Sequence, residues 1–250
     1  PALRKIIASG QAKDLEIIGI SRKKVNKLEL VGSELAEITQ LVTMDLTEFT
    51  EYTKLKRRIN PAKEEQTLIY LSVPPAAATL IANNLGKAGI NSKTVRLLFE
   101  KPFGLDLESA KDMVARTEKY FSEEQIYRID HYLAKEMAQN IVAFRSNNAI
   151  FRQLWGGNGI EKIGISAFET IGIVGRAQFY EQTGALRDVL QGHLMLLLAL
   201  ILMDVPSRLD WSLVPDLRLQ ALRRIDAANP KKSLRAQYLE YRQEVNVPSS

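Results

Sequence analysis

Short, continuously apolar runs alternate with amphipathic stretches over residues 1–130, and this alternation narrows the fold more than any other feature of the chain. Leu15–Ile20 (LEIIGI), Leu68–Val73 (LIYLSV) and Val95–Glu100 (VRLLFE) lack helical spacing and read as strands; Leu41–Leu46 is a weaker fourth candidate. Between them, Ala77–Lys87 and Leu107–Phe121 place apolar residues three and four apart and read as helices. Strands apolar along their whole length belong to parallel sheets covered on both faces, and parallel neighbours require helical crossovers. The expected fold class is therefore α/β, with a Rossmann-type doubly wound sheet.

From Tyr132 the texture changes. Tyr132–Leu154 reads as a long helix, Ile160–Thr170 as a strand, and Ala185–Met203 as a second long helix whose apolar second half belongs in a buried core. A charged helix, Leu217–Ala228, precedes Pro230, and Arg235–Ser250 reads as extended and polar. These differences place a domain boundary near residue 130, giving domains 1–130 and 131–250.

Composition removes several classes of function. Hydrophobic residues make up 46% of the chain, which excludes intrinsic disorder, and the absence of cysteine excludes a disulfide framework or a Cys-ligated metal. No metal site is expected. The longest purely apolar run, Leu194–Met203, is about half of a membrane-spanning helix, and no signal peptide opens the chain. A cytoplasmic protein with no membrane partner is the expectation. The net charge of +5 is mild for nucleic-acid binding, and no binding motif accompanies the basic clusters Arg22–Lys24, Lys56–Arg58 and Lys231-Lys232.

The residues that carry chemistry fall at strand ends and around two histidines. LEIIGI runs into Ser21-Arg22-Lys23-Lys24, where a Rossmann unit meets the adenosine ribose; cations without an acid favour a 2′-phosphate there, and a solvated basic turn is the alternative. No G-x-G-x-x-G precedes this strand, and Pro1–Ala8 resembles the end of the helix that would follow such a loop. Lys101 follows VRLLFE at the carboxyl end of a strand, and Pro102 after it raises the chance of a cis bond. His131 and His193 are the only imidazoles available as a base of near-neutral pKa. His131 and Lys135, four apart on an opening helix, would share a face suited to a phosphate; a helix cap with surface charges is the other reading. His193 stands ahead of the apolar run, either as a core histidine or lining a pocket with Asp188 and Gln191. Asp188, five residues away, lies off its α-helical face.

Together these segments resemble the glucose-6-phosphate dehydrogenase family. Glu100–Gly104 is similar to that family's EKPFG. Arg128–Glu136 (RIDHYLAKE) is similar to RIDHYLGKE, with Ala134 in place of Gly. Tyr180–His193 (YEQTGALRDVLQGH) is similar to YEQxGALRDMVQNH, with Gly192 where Asn is usual. Weaker similarity runs from Pro1 to Tyr238. The resemblance implies oxidation of glucose 6-phosphate at C1 to 6-phosphogluconolactone with hydride transfer to NADP, the reaction that opens the oxidative pentose phosphate pathway. It implies His193 as the base and Asp130 as its partner, with His131, Tyr132 and Lys135 on the sugar phosphate. Glu169 and Asp188 would accept hydrogen bonds from sugar hydroxyls, and Lys101 would bridge substrate and nicotinamide. Arg22 would bind the 2′-phosphate, with Asp45 and Leu46 beside the adenosine half. Residues 131–250 would be the start of an α+β domain with a mainly antiparallel sheet, and the full-length protein a homodimer or homotetramer. Against the family the chain reads as cut at both ends, lacking the nucleotide loop and part of the C-terminal sheet, with weak or absent activity of its own. The alternative function is a non-catalytic sugar-phosphate or partner-binding fragment that keeps the fold.

Overall fold

A computed structural model describes residues 2–10, 12, 14–59, 65–104, 106–206 and 208–248, with the side chains of 2, 4, 30, 33, 152 and 153 left aside. Pro1, Ser249 and Ser250 lie outside the described residues. The chain divides into two units, Pro1–Arg128 and Ile129–Ser250.

The first unit contains β1 (Ile17–Ser21), β2 (Thr39–Thr43), β3 (Thr67–Leu71), β4 (Val95–Phe99) and β5 (Ile126–Arg128). Every pairing among them is parallel: Ile17 stands opposite Thr39, Thr67 opposite Val95, and Leu97 opposite Ile126. The strands form one ladder of β1 and β2 and another in the order β3-β4-β5. The break between β1 and β3 falls where a doubly wound sheet of order 3-2-1-4-5-6 carries its first strand. The helices are α1 (Ala2–Ala8), α2 (Lys27–Val31), α3 (Ser33–Ala36), α4 (Phe49–Arg58), α5 (Pro75–Lys87) and α6 (Leu107–Thr117). Pro75 opens α5 at a position where its missing N–H costs nothing. Asp106 caps α6 by accepting from the Ser109 backbone N–H at 2.8 Å, and Ser109 Oγ accepts in return from the Asp106 N–H at 3.0 Å.

Val95, Leu97 and Phe99 of β4 are buried with Tyr52, Leu85 and Phe121 in the core of this unit. Leu68, Tyr70 and Tyr127 are exposed instead. Tyr70 and Tyr127 both lie opposite Leu98 in the ladder, so one face of β3-β4-β5 is open, where cover on both faces was expected.

The second unit is helical among the described residues. It comprises α7 (Glu136–Asn147), α8 (Ala149–Leu154), α9 (Ala177–Ala185), a π-helix over Leu186–Leu194, α10 (Met195–Leu202) and α11 (Val214–Arg223). Ala138 and Val142 of α7, Leu197, Ala199 and Leu200 of α10, and Ala221 of α11 form its core. Buried Arg145 fastens α7 to the end of α10, donating to the carbonyls of Leu200 and Met203, both at 2.7 Å. Trp155 Nε1 donates to the Ile201 carbonyl at 2.9 Å, so the unpaired acceptors at that helix end are met by side chains. By length and composition alone Ala177–Leu202 is apolar enough to cross a membrane. Gly184 breaks its winding (φ 66°, ψ 167°), and the buried face of α10 belongs to a protein core.

Several expected elements differ. The helix expected from Tyr132 begins at Glu136, because Asp130 draws residues 131–135 into a turn, and Asn148, in extended conformation, separates α7 from α8. Ile160–Thr170 is not a strand. An extended segment without a hydrogen-bonded neighbour is no strand, and none occurs among the described residues after Arg128, so the mainly antiparallel sheet is not seen. The expected helix Ala185–Met203 is π-wound in its first half. Leu217–Ala228 is replaced by α11, which begins three residues earlier and ends five earlier, with Pro215 in its first turn.

Candidate active site

The second unit buries an ion-pairing couple. His193 Nδ1 lies 2.9 Å from both Oδ1 and Oδ2 of Asp130. The two residues are 4% and 8% exposed, which is rare for such groups unless they are paired. A carboxylate can only accept, so Nδ1 carries a proton, and in the neutral ring the lone pair is on Nε2. Asp130 Oδ1 also accepts from the Tyr132 backbone N–H at 2.8 Å, and the Leu133 N–H reaches the Asp130 carbonyl at 3.1 Å. This is an Asx-type turn: the short carboxylate that pairs with His193 also shapes the backbone carrying the next three residues.

Tyr132 is the hub of the cluster. Its ring stacks on His193 at 4.2 Å between centroids, 19° from parallel, and meets His131 at 5.0 Å. Lys135 Nζ sits 3.9 Å over the same ring, within cation–π range. The phenolic oxygen stands 3.5 Å from Glu169 Oε1. Desolvation, followed by the charges of Glu169, Asp130 and Asp188, raises the Tyr132 hydroxyl above the usual phenol range. His131 completes the arrangement, its ring edge-on to His193 at 4.5 Å.

The structure thus brings Asp130, His131, Tyr132, Lys135, Glu169, Asp188 and His193 into one neighbourhood. It does so differently from the spacing argument. His131 and Lys135 share a turn rather than a helix face. The segment from Leu186 to Leu194 is π-wound rather than α-helical, and the charge of Asp188 acts on Tyr132, the ring stacked on His193. Two cations were not foreseen. Arg176 Nη2 lies 3.8 Å from Asp188 Oδ2 and spreads over the rings of Phe179 and Tyr180. Burial lowers the Arg218 guanidinium, on α11, below its ordinary range, and the charge of Asp130 partly offsets this. A cation inside an amphipathic helix carries no sequence signal that separates it from a solvated surface charge.

The remaining candidates lie in the first unit, at the carboxyl ends of its strands. Arg22 follows β1 and is exposed; Asp45 and Leu46 follow β2, the parallel neighbour. Asp45 accepts from the Thr47 hydroxyl at 2.7 Å and its backbone N–H at 2.9 Å. These bonds, with the charge of Arg22, lower its carboxyl below the ordinary range. Lys101 follows β4, and the Lys101–Pro102 peptide is cis, as expected. Gly104 ends the same loop at φ +93°; a Cβ there would lie 2.6 Å from the Ala110 backbone N, so the loop closes on α6 only with glycine. No metal-binding group of three or more His, Asp or Glu side chains occurs among the described residues.

Comparison with known proteins agrees with this geometry. Residues 13–140 match the family model described as glucose-6-phosphate dehydrogenase, NAD binding domain, and residues 142–250 match the C-terminal domain of the same family. The chain is 35% identical to glucose-6-phosphate 1-dehydrogenase of Helicobacter pylori strain J99 over 98% of its own length and 62% of that protein's. It is 32% identical to the Bacillus subtilis enzyme of the same name, covering 89% of this chain and 50% of the other. The crystal structure of glucose-6-phosphate 1-dehydrogenase from Mycobacterium avium superposes with a TM-score of 0.88 at 30% identity, over 99% of this chain and 58% of that one. A glucose-6-phosphate dehydrogenase in complex with its substrate gives a TM-score of 0.79 at 27% identity, over 89% and 51%. The chain therefore spans between half and two thirds of the length of these four relatives. With both halves matched in order, the chain belongs to the glucose-6-phosphate dehydrogenase family.

Proposed function

We propose that the protein oxidises glucose 6-phosphate at C1 to 6-phosphogluconolactone, with NADP as the cofactor. The observation that carries this reading is the buried Asp130–His193 pair set among Tyr132, His131 and Lys135, with Glu169 at the Tyr132 hydroxyl. His193 Nε2, its lone pair directed by the proton on Nδ1, takes the proton from the C1 hydroxyl. Asp130 holds the ring and stabilises the imidazolium that forms. Lys135 and His131 supply positive charge and N–H donors for the phosphate, with Tyr132 between them. Glu169 and Asp188 accept from sugar hydroxyls, and Arg176 keeps Asp188 oriented.

The first unit fits the nucleotide. Parallel strands with their carboxyl ends at Arg22, Asp45, Leu46 and Lys101 provide the crevice edge at which open α/β sheets bind ligands. Arg22, exposed and followed by Lys23 and Lys24, suits a 2′-phosphate, which supports NADP over NAD. The nicotinamide, when bound, supplies the hydride acceptor for C1. Dimer or tetramer assembly and a cytoplasmic location belong to the same proposal.

The test is NADPH formation with glucose 6-phosphate, with His193→Asn as its control. Turnover should collapse by ~10²–10⁴-fold in the variant while glucose 6-phosphate affinity stays close to that of the unaltered protein. An equal loss of affinity would remove His193 from the base role. Glucose 6-phosphate binding without any NADPH would favour the non-catalytic reading.

A further inference from the structure

On the nucleotide reading of the first unit, we infer that Asp45 selects the base: its Oδ2 accepts from the 6-amino group of adenine, and Tyr52 is the positioning residue that holds this acceptor in place. The peptide joining Leu46 to Thr47 is fastened at both of its polar ends. Its carbonyl accepts from the Tyr52 hydroxyl at 2.7 Å, and its N–H donates to Asp45 Oδ1 at 2.9 Å. Tyr52 is fully buried on the inner side of α4, and the Leu46 side chain packs against the same core. The Glu48 N–H reaches back to the Asp45 carbonyl at 3.2 Å, so one turn carries the chain from β2 into α4 and returns Tyr52 to Leu46. Burial raises the Tyr52 hydroxyl above the usual phenol range, which keeps it a donor.

A peptide held in this way fixes the carboxylate as well. Asp45 Oδ1 takes both the Thr47 N–H and the Thr47 hydroxyl, the latter at 2.7 Å. With Oδ1 committed, the group is not free to rotate, and Oδ2 accepts no hydrogen bond among the described residues. Asp45 is exposed beyond the carboxyl end of a parallel strand, where open α/β sheets bind ligands. The Met44 N–H donates to the Ser21 carbonyl at 3.1 Å, so β1 and β2 leave their ladder together and Arg22 and Asp45 share one edge. An ionised carboxylate only accepts, so its ligand must offer a donor. With the 2′-hydroxyl of adenosine phosphorylated and met by Arg22, two donors remain, the 3′-hydroxyl and the 6-amino group. The 3′-hydroxyl adjoins the 2′-phosphate, where a carboxylate would face like charge; the amino group lies at the far end of the base. Hypoxanthine carries a carbonyl oxygen in place of that amino group and would set acceptor against acceptor.

The test is calorimetric titration of the protein with NADP and with deamino-NADP, the hypoxanthine analogue that keeps the 2′-phosphate and the nicotinamide. NADP should bind about tenfold more tightly. In Asp45→Asn, Oδ1 keeps its bonds to Thr47 and an amide N–H takes the place of Oδ2. The acceptor becomes a donor, so the preference for adenine should fall by about tenfold or more, to parity or toward hypoxanthine. Tyr52→Phe should lower the preference about threefold, while the loss on removing the 2′-phosphate, read with NAD, stays as in the unaltered protein. Asp45 is exposed, so the outcome with Asp45→Asn does not depend on how the core tolerates Tyr52→Phe. Equal affinity of the unaltered protein for the two dinucleotides overturns the base-selecting role alone, as does an unchanged ratio in Asp45→Asn. An unchanged adenine preference in Tyr52→Phe, or a fall in both ratios together, overturns the positioning role. If neither dinucleotide binds the unaltered protein, the nucleotide reading fails and the role of Asp45 fails with it.

Discussion

Replacing Asp130 by Asn isolates the contribution of the carboxylate to the base while leaving the surrounding turn almost intact. The amide oxygen can still accept from the Tyr132 N–H, now bonded at 2.8 Å, so the backbone has no cause to move. The amide nitrogen is a donor, and it would face His193 Nδ1 across the present 2.9 Å contact. Two donors oppose one another at that contact, which favours the imidazole tautomer with its proton on Nε2. The base is then lost although His193 remains in place. General-base assistance is worth ~10²–10⁴-fold, or about 3–5 kcal/mol on the barrier, and the full range is in play because solvent barely reaches the pair. Steady-state NADPH production should therefore show kcat reduced by at least ~100-fold with KM for glucose 6-phosphate altered by less than about threefold. The ¹⁵N shifts of His193 should report a proton on Nε2. A kcat within about fivefold of the unaltered protein would refute the reasoning, because a base with its lone pair misdirected has no route to that rate.

Lys135→Ala should weaken glucose 6-phosphate binding far more than glucose binding; equal losses by competition assay would remove Lys135 from the phosphate. Arg145→Met should destabilise the second unit by about 2–4 kcal/mol in urea unfolding, since the Leu200 and Met203 carbonyls lose charged donors at a buried helix end. An unchanged midpoint would show that water replaces those donors. Tyr241 donates to Glu181 at 2.6 Å, and chiefly for that reason its hydroxyl is pushed up to about 12. The native state thus holds a proton that the unfolded chain releases near pH 10. This contribution to stability is complete below pH 10 and fades as pH rises through 12. Unfolding measured across that window should show the loss in the unaltered protein and not in Tyr241→Phe.

The strands readable from sequence are those whose apolar residues run without interruption. LIYLSV and VRLLFE correspond to β3 and β4 within a residue or two. β5 could not be read, because Ile126–Arg128 has three residues, two of them exposed, and takes its strand character from pairing with β4. The second half of the chain was harder for a different reason. Helical arithmetic at 3.6 residues per turn assigned Tyr132–Leu154 to one helix and set Asp188 apart from His193. The first result fails because the Asp130 turn delays α7 to Glu136, and the 3.6-residue period does not hold over Leu186–Leu194, which is π-wound. The second-unit residues named from sequence nevertheless gather around Tyr132, since chemical types survive an error in the scaffold that carries them.

That winding is also why the candidate site has its present composition. In α geometry each residue turns the helix by about 100°, so residues five apart lie roughly 140° apart around the axis. The wider i→i+5 turn reduces that angle, which lets His193 turn to Asp130 while Asp188, from the preceding turn, adds its charge at Tyr132. The proposed base and the proposed sugar-binding carboxylate thus come from a single segment, whose hydrogen-bond register sets how they are disposed. Deleting one residue between them, Val189 for example, would favour ordinary α winding and carry His193 off Asp130. The buried carboxylate would then lose its partner within an apolar surround, at a cost of several kcal/mol. The winding of Leu186–Leu194 is therefore as much a part of the site as the two side chains it joins.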